Sequence, residues 1–261
     1  MASQKQGVYI DNLKSGKPNF RASITRNGKH ISLGSYPSES EAGEAYLFAE
    51  KLLSSDIGVS DYPEDCPLSF EKFVILCNLR DKNIYIKTPI YLENKFFFYY
   101  YSPNEIYKFD TDDLFYFSSH KIIKRGSHIF VSDYGSQVSV KERFGIKPFS
   151  VEGRDYIFIN GDNYDFRREN IEIINRYFGV EKQTLKAKEI YKATINVNGK
   201  FIIGRYDDEI TAAIAFNKAV DHLSSKGIQK KYPQNYIEGI SAREYADIYS
   251  NIKISDRLLA I

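Results

Sequence analysis

Residues 20–55, FRASITRNGKHISLGSYPSESEAGEAYLFAEKLLSS, return near the other end of the chain as residues 191–225, YKATINVNGKFIIGRYDDEITAAIAFNKAVDHLSS. With one gap placed after the Asn-Gly turn, thirteen aligned positions are identical. Self-similarity of this kind constrains the fold more than any single motif, because both copies must build the same supersecondary unit.

In the first copy Phe20, Ala22 and Ile24 alternate with Arg21, Ser23 and Thr25, the period of a half-buried strand. Asn27-Gly28 supplies the positive φ angles of a tight hairpin turn. A second strand follows to Gly34, with Ile31 and Leu33 inward and His30 and Ser32 outward. The second copy repeats the plan: Tyr191, Ala193 and Ile195 face in, Lys192, Thr194 and Asn196 face out, and Phe201 and Ile203 face in beyond Asn198-Gly199. Ser38 precedes Glu41 by three residues, a capping box, and Ala42, Ala45, Tyr46, Ala49 and Leu53 then recur at helical spacing. Asp208 caps the matching helix, whose stripe is Ala212, Ala215, Phe216, Ala219 and Leu223. The alanines leave little bulk, so each helix can lie close against the inner face of its sheet and leave the outer face open. Upstream, Gly7-Val8 and Gly179-Val180 precede their copies by similar distances, and Leu13-Lys14 matches Leu185-Lys186. A leading strand therefore completes a three-stranded sheet in each repeat.

This pattern resembles the DNA-binding domain of the Apetala-two/ethylene-response-factor family, in which a three-stranded sheet backed by one helix lies in the major groove. The residues that carry the resemblance are Gly7-Val8, Ala22-Ser23-Ile24, Leu33-Gly34, Tyr36 and the Ala42/Ala45/Ala49 helix, with their counterparts in the second copy. It implies base and phosphate readers at Tyr9, Ser23, Thr25, His30 and Ser32, and at Thr194, Asn196, Lys200 and Ile202. Arg21 and Lys192 join them one strand step away, and Arg205 belongs to a basic stripe over 179–206. Lys, Arg, Asn and Thr suit phosphates and base edges. Plant members place Arg and Trp at several of these positions, whereas Ser23, Thr25 and Ser32 are small and neutral. The first copy is therefore expected to bind more weakly or to read other bases.

Between the copies, 56–67 reads as an exit loop rich in turn formers and acidic residues. Aromatic and β-branched runs at 84–90, 96–101, 114–117 and 128–131 predict a strand-rich subdomain, with the six aromatics of 96–101 serving both faces of a buried strand. The stretch 156–174, YIFINGDNYDFRRENIEII, then reads as a strand, an Asn160-Gly161-Asp162 loop and a short helix beginning near Arg167. It resembles the second half of the HNH nuclease finger of phage-type homing endonucleases, which often carry Apetala-two-type domains. An HNH site needs a histidine to deprotonate water and a divalent metal held by acidic, amide or imidazole ligands. Here the family's histidine falls on Phe158, the preceding ligand on Ile157 and a later polar position on Phe166, so that only Asn170 of the catalytic set survives. The resemblance implies a degenerate finger with no catalytic residue, no metal and no cofactor; Mg²⁺ enters only if His120 or His128 serves as a relocated base. The Asp110/Asp112/Asp113 cluster reads as a solvated acidic loop.

The net charge of +2 conceals a gradient, with 13 Lys/Arg against 10 Asp/Glu over 179–261 and 16 against 18 over 57–178. The N-terminus MASQKQG has no apolar segment behind a basic start, and the longest apolar run, 96–101, is far too short to cross a bilayer. A cytoplasmic, nucleoid-associated protein without a membrane partner is expected. Cys66 and Cys77 lack a CxxC partner and read as free thiols. Ser241 with Glu244 caps an amphipathic C-terminal helix bearing Tyr245, Ile248, Tyr249 and Ile252. The predicted class is α+β. Residues 1–56 form an N-terminal Apetala-two-type domain, 57–178 a nuclease-dead HNH-like centre, and 179–261 a second Apetala-two-type domain with a helical tail. The expected partner is double-stranded DNA and the expected role transcriptional regulation or another phage-derived DNA-associated one. An active homing endonuclease and a protein-interaction scaffold are the alternatives.

Overall fold

The computed structural model describes residues 5–12 and 17–261. The architecture is mixed α+β, with five small antiparallel sheets and seven α-helices among the described residues. Two compact units divide the chain: one runs to Val140 and takes in Asp162–Asn170, and the other comprises Lys141–Gly161 and Ile171–Ile261.

The first unit opens with strands β1 (Val8–Asn12), β2 (Pro18–Arg26) and β3 (Lys29–Tyr36), paired in that order. Arg26 pairs with Lys29 across a two-residue turn in which Asn27 and Gly28 have φ of 48° and 70°, the left-handed geometry that such hairpins need. The Leu13-Lys14 match lies outside the described residues. Helix α1 (Glu39–Leu53) starts on its capping box, with Ser38 accepting from the Glu41 N–H and Glu41 accepting from the Ser38 N–H at 3.1 Å. Its alanines 42, 45 and 49 are buried in one core with Ala22, Ile24, Ile31 and Leu33. That close approach also explains Gly7, because at its φ of +70° a Cβ would lie 2.0 Å from the Tyr46 ring and 2.8 Å from the Ser23 carbonyl.

The core of the first copy does not stop at residue 56. Helix α2 (Phe70–Lys82) adds Phe73, Leu76, Cys77 and Leu79 to the same cluster, and Phe48 of α1 packs on Phe73 at 6.3 Å between ring centroids. The Arg80 guanidinium donates to the carbonyls of Leu52 and Ile57 at 3.2 and 2.8 Å while gripping Asp81, and so caps the C-terminus of α1. Strand-rich expectations for this region overlook α2, since every residue from Phe73 to Leu79 is buried and no polar stripe reveals a helical period.

Strands β4 (Ile90–Leu92), β5 (Phe96–Ser102) and β6 (Glu105–Asp110) form one sheet; β7 (Ile122–Arg125), β8 (His128–Asp133) and β9 (Ser136–Ser139) form another. The aromatic run lies in β5, with Phe97 and Tyr99 buried and Phe96, Phe98 and Tyr100 half-buried. Two expected strands are corrected. Of the 84–90 run only Ile90 is in a strand, and 114–117 belongs to α3 (Leu114–Ser119), where Phe117 is buried and Phe115 exposed. Apolar runs this short do not separate strand from helix. The 162–170 segment lines β6, through Lys108 N–H to Tyr164 O at 3.0 Å and Phe166 N–H to Lys108 O at 2.8 Å.

Short helix α4 (Val140–Arg143) leads toward the second unit, where β10 (Tyr156–Phe158) pairs antiparallel with β11 (Ile171–Ile173). The helix expected from Arg167 is a single 3-10 turn, Arg168–Asn170, after which the β-branched Ile171 and Ile173 carry the chain into a strand. The second repeat follows as β12 (Val180–Leu185), β13 (Lys188–Asn196), β14 (Lys200–Tyr206) and α5 (Glu209–Ser225), capped by Asp208. Gly179 repeats the role of Gly7: at φ +74° a Cβ would meet the Phe216 ring at 2.4 Å. The tail, with α6 (Ala242–Asn251) and α7 (Asp256–Leu259), packs on α5 and its sheet. Lys218 Nζ donates to the carbonyls of Tyr249 and Ile252 at 2.7 and 2.9 Å, and Asn217 exchanges two hydrogen bonds with the Asn235 backbone. Ser255 N–H reaches Ile203 O at 2.8 Å.

Candidate nucleic-acid interface

A β-bulge falls at the same place in both repeats. Ala22 pairs with Gly34 but Ser23 with Ser32, leaving Leu33 extra; Ala193 pairs with Gly204 but Thr194 with Ile202, leaving Ile203 extra. Leu33 and Ile203 are both buried. Simple alternation would send Ser35 and Arg205 to the core with them, whereas the bulge turns both onto the outer face, opposite Arg21 and Lys192. Alternation alone therefore does not point to Ser35; its alignment with Arg205 does.

On the first sheet Tyr9 stands opposite Arg21, Ser23 opposite Ser32, and Thr25 opposite His30. The Tyr9 and His30 rings meet edge-on at 6.4 Å. They belong to the two outer strands, so their contact crosses β2, and the outward residue of β2 between their partners is Ser23. It is only 6% exposed. Ser23, expected on the open face, is therefore buried rather than presented there. Arg21, Thr25, His30 and Ser32 are exposed, and Arg21 lies 3.6 Å from Asp11 in an open ion pair of little energetic weight.

The second sheet presents Asn196, Lys200, Ile202 and Arg205 fully and Lys192 and Thr194 partly, with Glu181 in the position of Tyr9. Lys182 and Lys188 of the predicted stripe are neutralised by Glu189 and Asp207, each at 2.7 Å. Among the described residues Lys186, Lys192, Lys200 and Arg205 form no ion pair, so the stripe narrows to these four, with Lys186 in the β12–β13 turn and the other three on the strands. Asn196 Oδ1 accepts from Gly199 N–H at 3.4 Å, which leaves its Nδ2 as a donor.

At the positions expected of the nuclease finger the side chains serve packing. In the second unit Ile157 is half-buried and Phe158 buried, its ring edge-on to Tyr156 at 5.7 Å. In the first unit Phe166 is 1% exposed and stacks on Phe109, which stacks on Phe117 at 4.2 Å. Asn170 Nδ2 donates to the carbonyls of Asp162 and Asp165, closing the loop upon itself. Burial would push the Asp165 carboxyl up, but hydrogen bonds from Arg167 at 2.7 and 2.9 Å outweigh it and hold the group below its ordinary value.

The acidic cluster is not a solvated loop. Asp113 is fully buried and gripped by the Arg168 guanidinium at 2.9 and 3.2 Å, while Asp110 accepts from the Arg168 backbone. His120 stacks on Tyr116, with Nδ1 at 2.8 Å from the Tyr116 carbonyl and Nε2 at 3.5 Å from Asp133. His128 is exposed on β8. Both cysteines are free thiols, and burial pushes the Cys77 thiol up to about 12.

No protein-family model, curated protein or solved structure matches the chain. Among the described residues no helix is long and apolar enough to cross a membrane.

Proposed function

We propose that this chain is a sequence-specific double-stranded DNA-binding protein that inserts its repeated sheets into the major groove, acting as a transcriptional regulator or another DNA-associated factor. One observation carries the reading: two sheets of matching register and bulge leave most of their outward residues exposed, and the second sets Lys192, Lys200 and Arg205 beside Asn196 and Thr194 on that face. Ammonium and guanidinium groups suit phosphates and guanine edges, and a carboxamide donor suits base acceptors. Two tethered readers raise affinity through effective concentration, so a long composite site is expected. The nuclease-like segment between them holds structure rather than performing chemistry.

Selection from random duplexes with the full chain tests this. Enrichment of a defined site supports the proposal; failure to enrich any duplex replaces it with a protein-interaction scaffold.

A further inference from the structure

A cleft of about 420 Å³ lies in the second unit at the end of the β13–β14 hairpin. Thr194, Asn196 and Lys200 line it from the sheet, and the segment Lys230–Pro233 walls it from the tail. This segment is clipped to the hairpin at one atom. Lys230 Nζ and the Tyr232 hydroxyl both donate to the Asn196 carbonyl at 2.8 Å, filling its two lone pairs. The first repeat has no such extension, since α1 is followed by the acidic exit loop 56–67.

Charge in the cleft is one-sided. Arg154, Lys200, Lys230 and Lys231 face only Asp155 and Glu181. Asp155 is 5% exposed and already occupied by Arg154, the Val151 N–H and the Asn175 carboxamide. Among the described residues Lys200, Lys230 and Lys231 have no carboxylate within ion-pair distance. The Lys230 ammonium is fixed by one hydrogen bond and keeps two donors, so little side-chain freedom remains to be lost when an anion arrives.

We infer that this cleft is a phosphate clamp for the sugar–phosphate backbone of duplex DNA, with Lys230 and Lys231 as its contacts beside the base-reading face. The inference rests on the proposed DNA-binding function. It assigns the tail a second task besides packing: it supplies cations just past the strand end, where the backbone bordering an occupied groove would run. Contacts of this kind position a protein on the duplex without reading sequence.

The test uses the full chain and a duplex from the random selection, with affinity measured over a range of KCl concentrations. The Lys230→Ala/Lys231→Ala double variant is expected to bind weaker and to lose about 1.8 from the slope of log K against log salt, about 0.9 per phosphate contact. It should select the same site as the parent chain. Lys231→Glu, at a side chain with no hydrogen bond or ion pair among the described residues, should weaken binding at least as much as Lys231→Ala, which keeps the test open if loss of Lys230 loosens the strap. Lys226→Ala, outside the cleft, should change nothing. An unaltered slope and affinity in both the double variant and Lys231→Glu overturn the clamp while leaving DNA binding intact. If the parent chain selects no duplex, the DNA-binding function and the clamp fall together.

Discussion

The Tyr9 ring meets the His30 ring edge-on at 6.4 Å across β2, the strand on which Ser23 is buried. The outer face of the first sheet thus exposes Tyr9, Arg21, Thr25, His30 and Ser32 but not Ser23. Ser23→Ala should leave duplex affinity nearly unchanged, whereas Tyr9→Ala or His30→Ala should weaken it by about 1 kcal/mol, the low end for a base-edge contact. Fluorescence anisotropy on a selected duplex measures both. Equal losses for Ser23→Ala and His30→Ala would return the hydroxyl to the interface.

On the second sheet a cation and a carboxamide should fail differently. Lys192→Ala is expected to weaken binding to all duplexes and to lower the salt slope by about 0.9. Asn196→Ala should instead relax preference at particular base pairs, with a loss of about 1–3 kcal/mol in discrimination. If neither substitution alters DNA binding, the outer face of β13 is not the reading surface.

Gly7 and Gly179 are required by their neighbours as well as by their backbone angles. Gly179→Ala brings a Cβ to 2.4 Å from the Phe216 ring and should destabilise the chain by about 2 kcal/mol or more in urea titration. Gly28 also has φ of +70° but nothing within 4 Å, so Gly28→Ala should cost only about 1 kcal/mol. Matching losses would mean that the helix can move away from the sheet without penalty.

Acid should weaken both units through one buried carboxylate each. Burial raises Asp155 and Asp165, but the Arg154 and Arg167 hydrogen bonds prevail and hold both below the ordinary 3.8. A carboxylate with a depressed folded pKa contributes stability above its unfolded pKa and loses it as the pH falls through the folded one. Urea midpoints should therefore decline below about pH 4, and Asp165→Asn should flatten that decline while lowering the midpoint at neutral pH. A variant as acid-sensitive as the parent would remove Asp165 from this account.

With a selected duplex and Mg²⁺ or Mn²⁺, both strands should stay intact on a denaturing gel. Ile157 and Phe158 offer neither base nor ligand, and both His120 ring nitrogens already have partners. Nicks abolished by His120→Ala or His128→Ala would make the protein a nuclease with a relocated base.

Much of each repeat was legible because two signals agreed at every step. Ser38 and Asp208 sit where helices start, Asn27-Gly28 where a chain reverses, and the alanine stripes where a helix must approach a sheet. The bulge was hidden, because one extra residue leaves Leu33 and Ile203 looking like ordinary inward positions while it turns Ser35 and Arg205 outward. The burial of Ser23 was hidden because strand parity assigns a face but not its exposure. Helix α2 escaped because residues buried all round carry no period, and the cleft escaped because Lys230 and Asn196 meet only through tertiary folding.

Phe48 and Lys218 hold the same place in the duplicated helix, yet one rests on α2 and the other holds the end of α6. Next to them, Leu47 is 67% exposed and Asn217 is 5% exposed. The repeated unit is thus supported by two unrelated buttresses, α2 against the first helix and the tail against the second. Substitutions in α2 act on the first copy alone and those in the tail on the second, where they also reach the hairpin through the Asn196 carbonyl, so the copies can diverge in stability along separate routes.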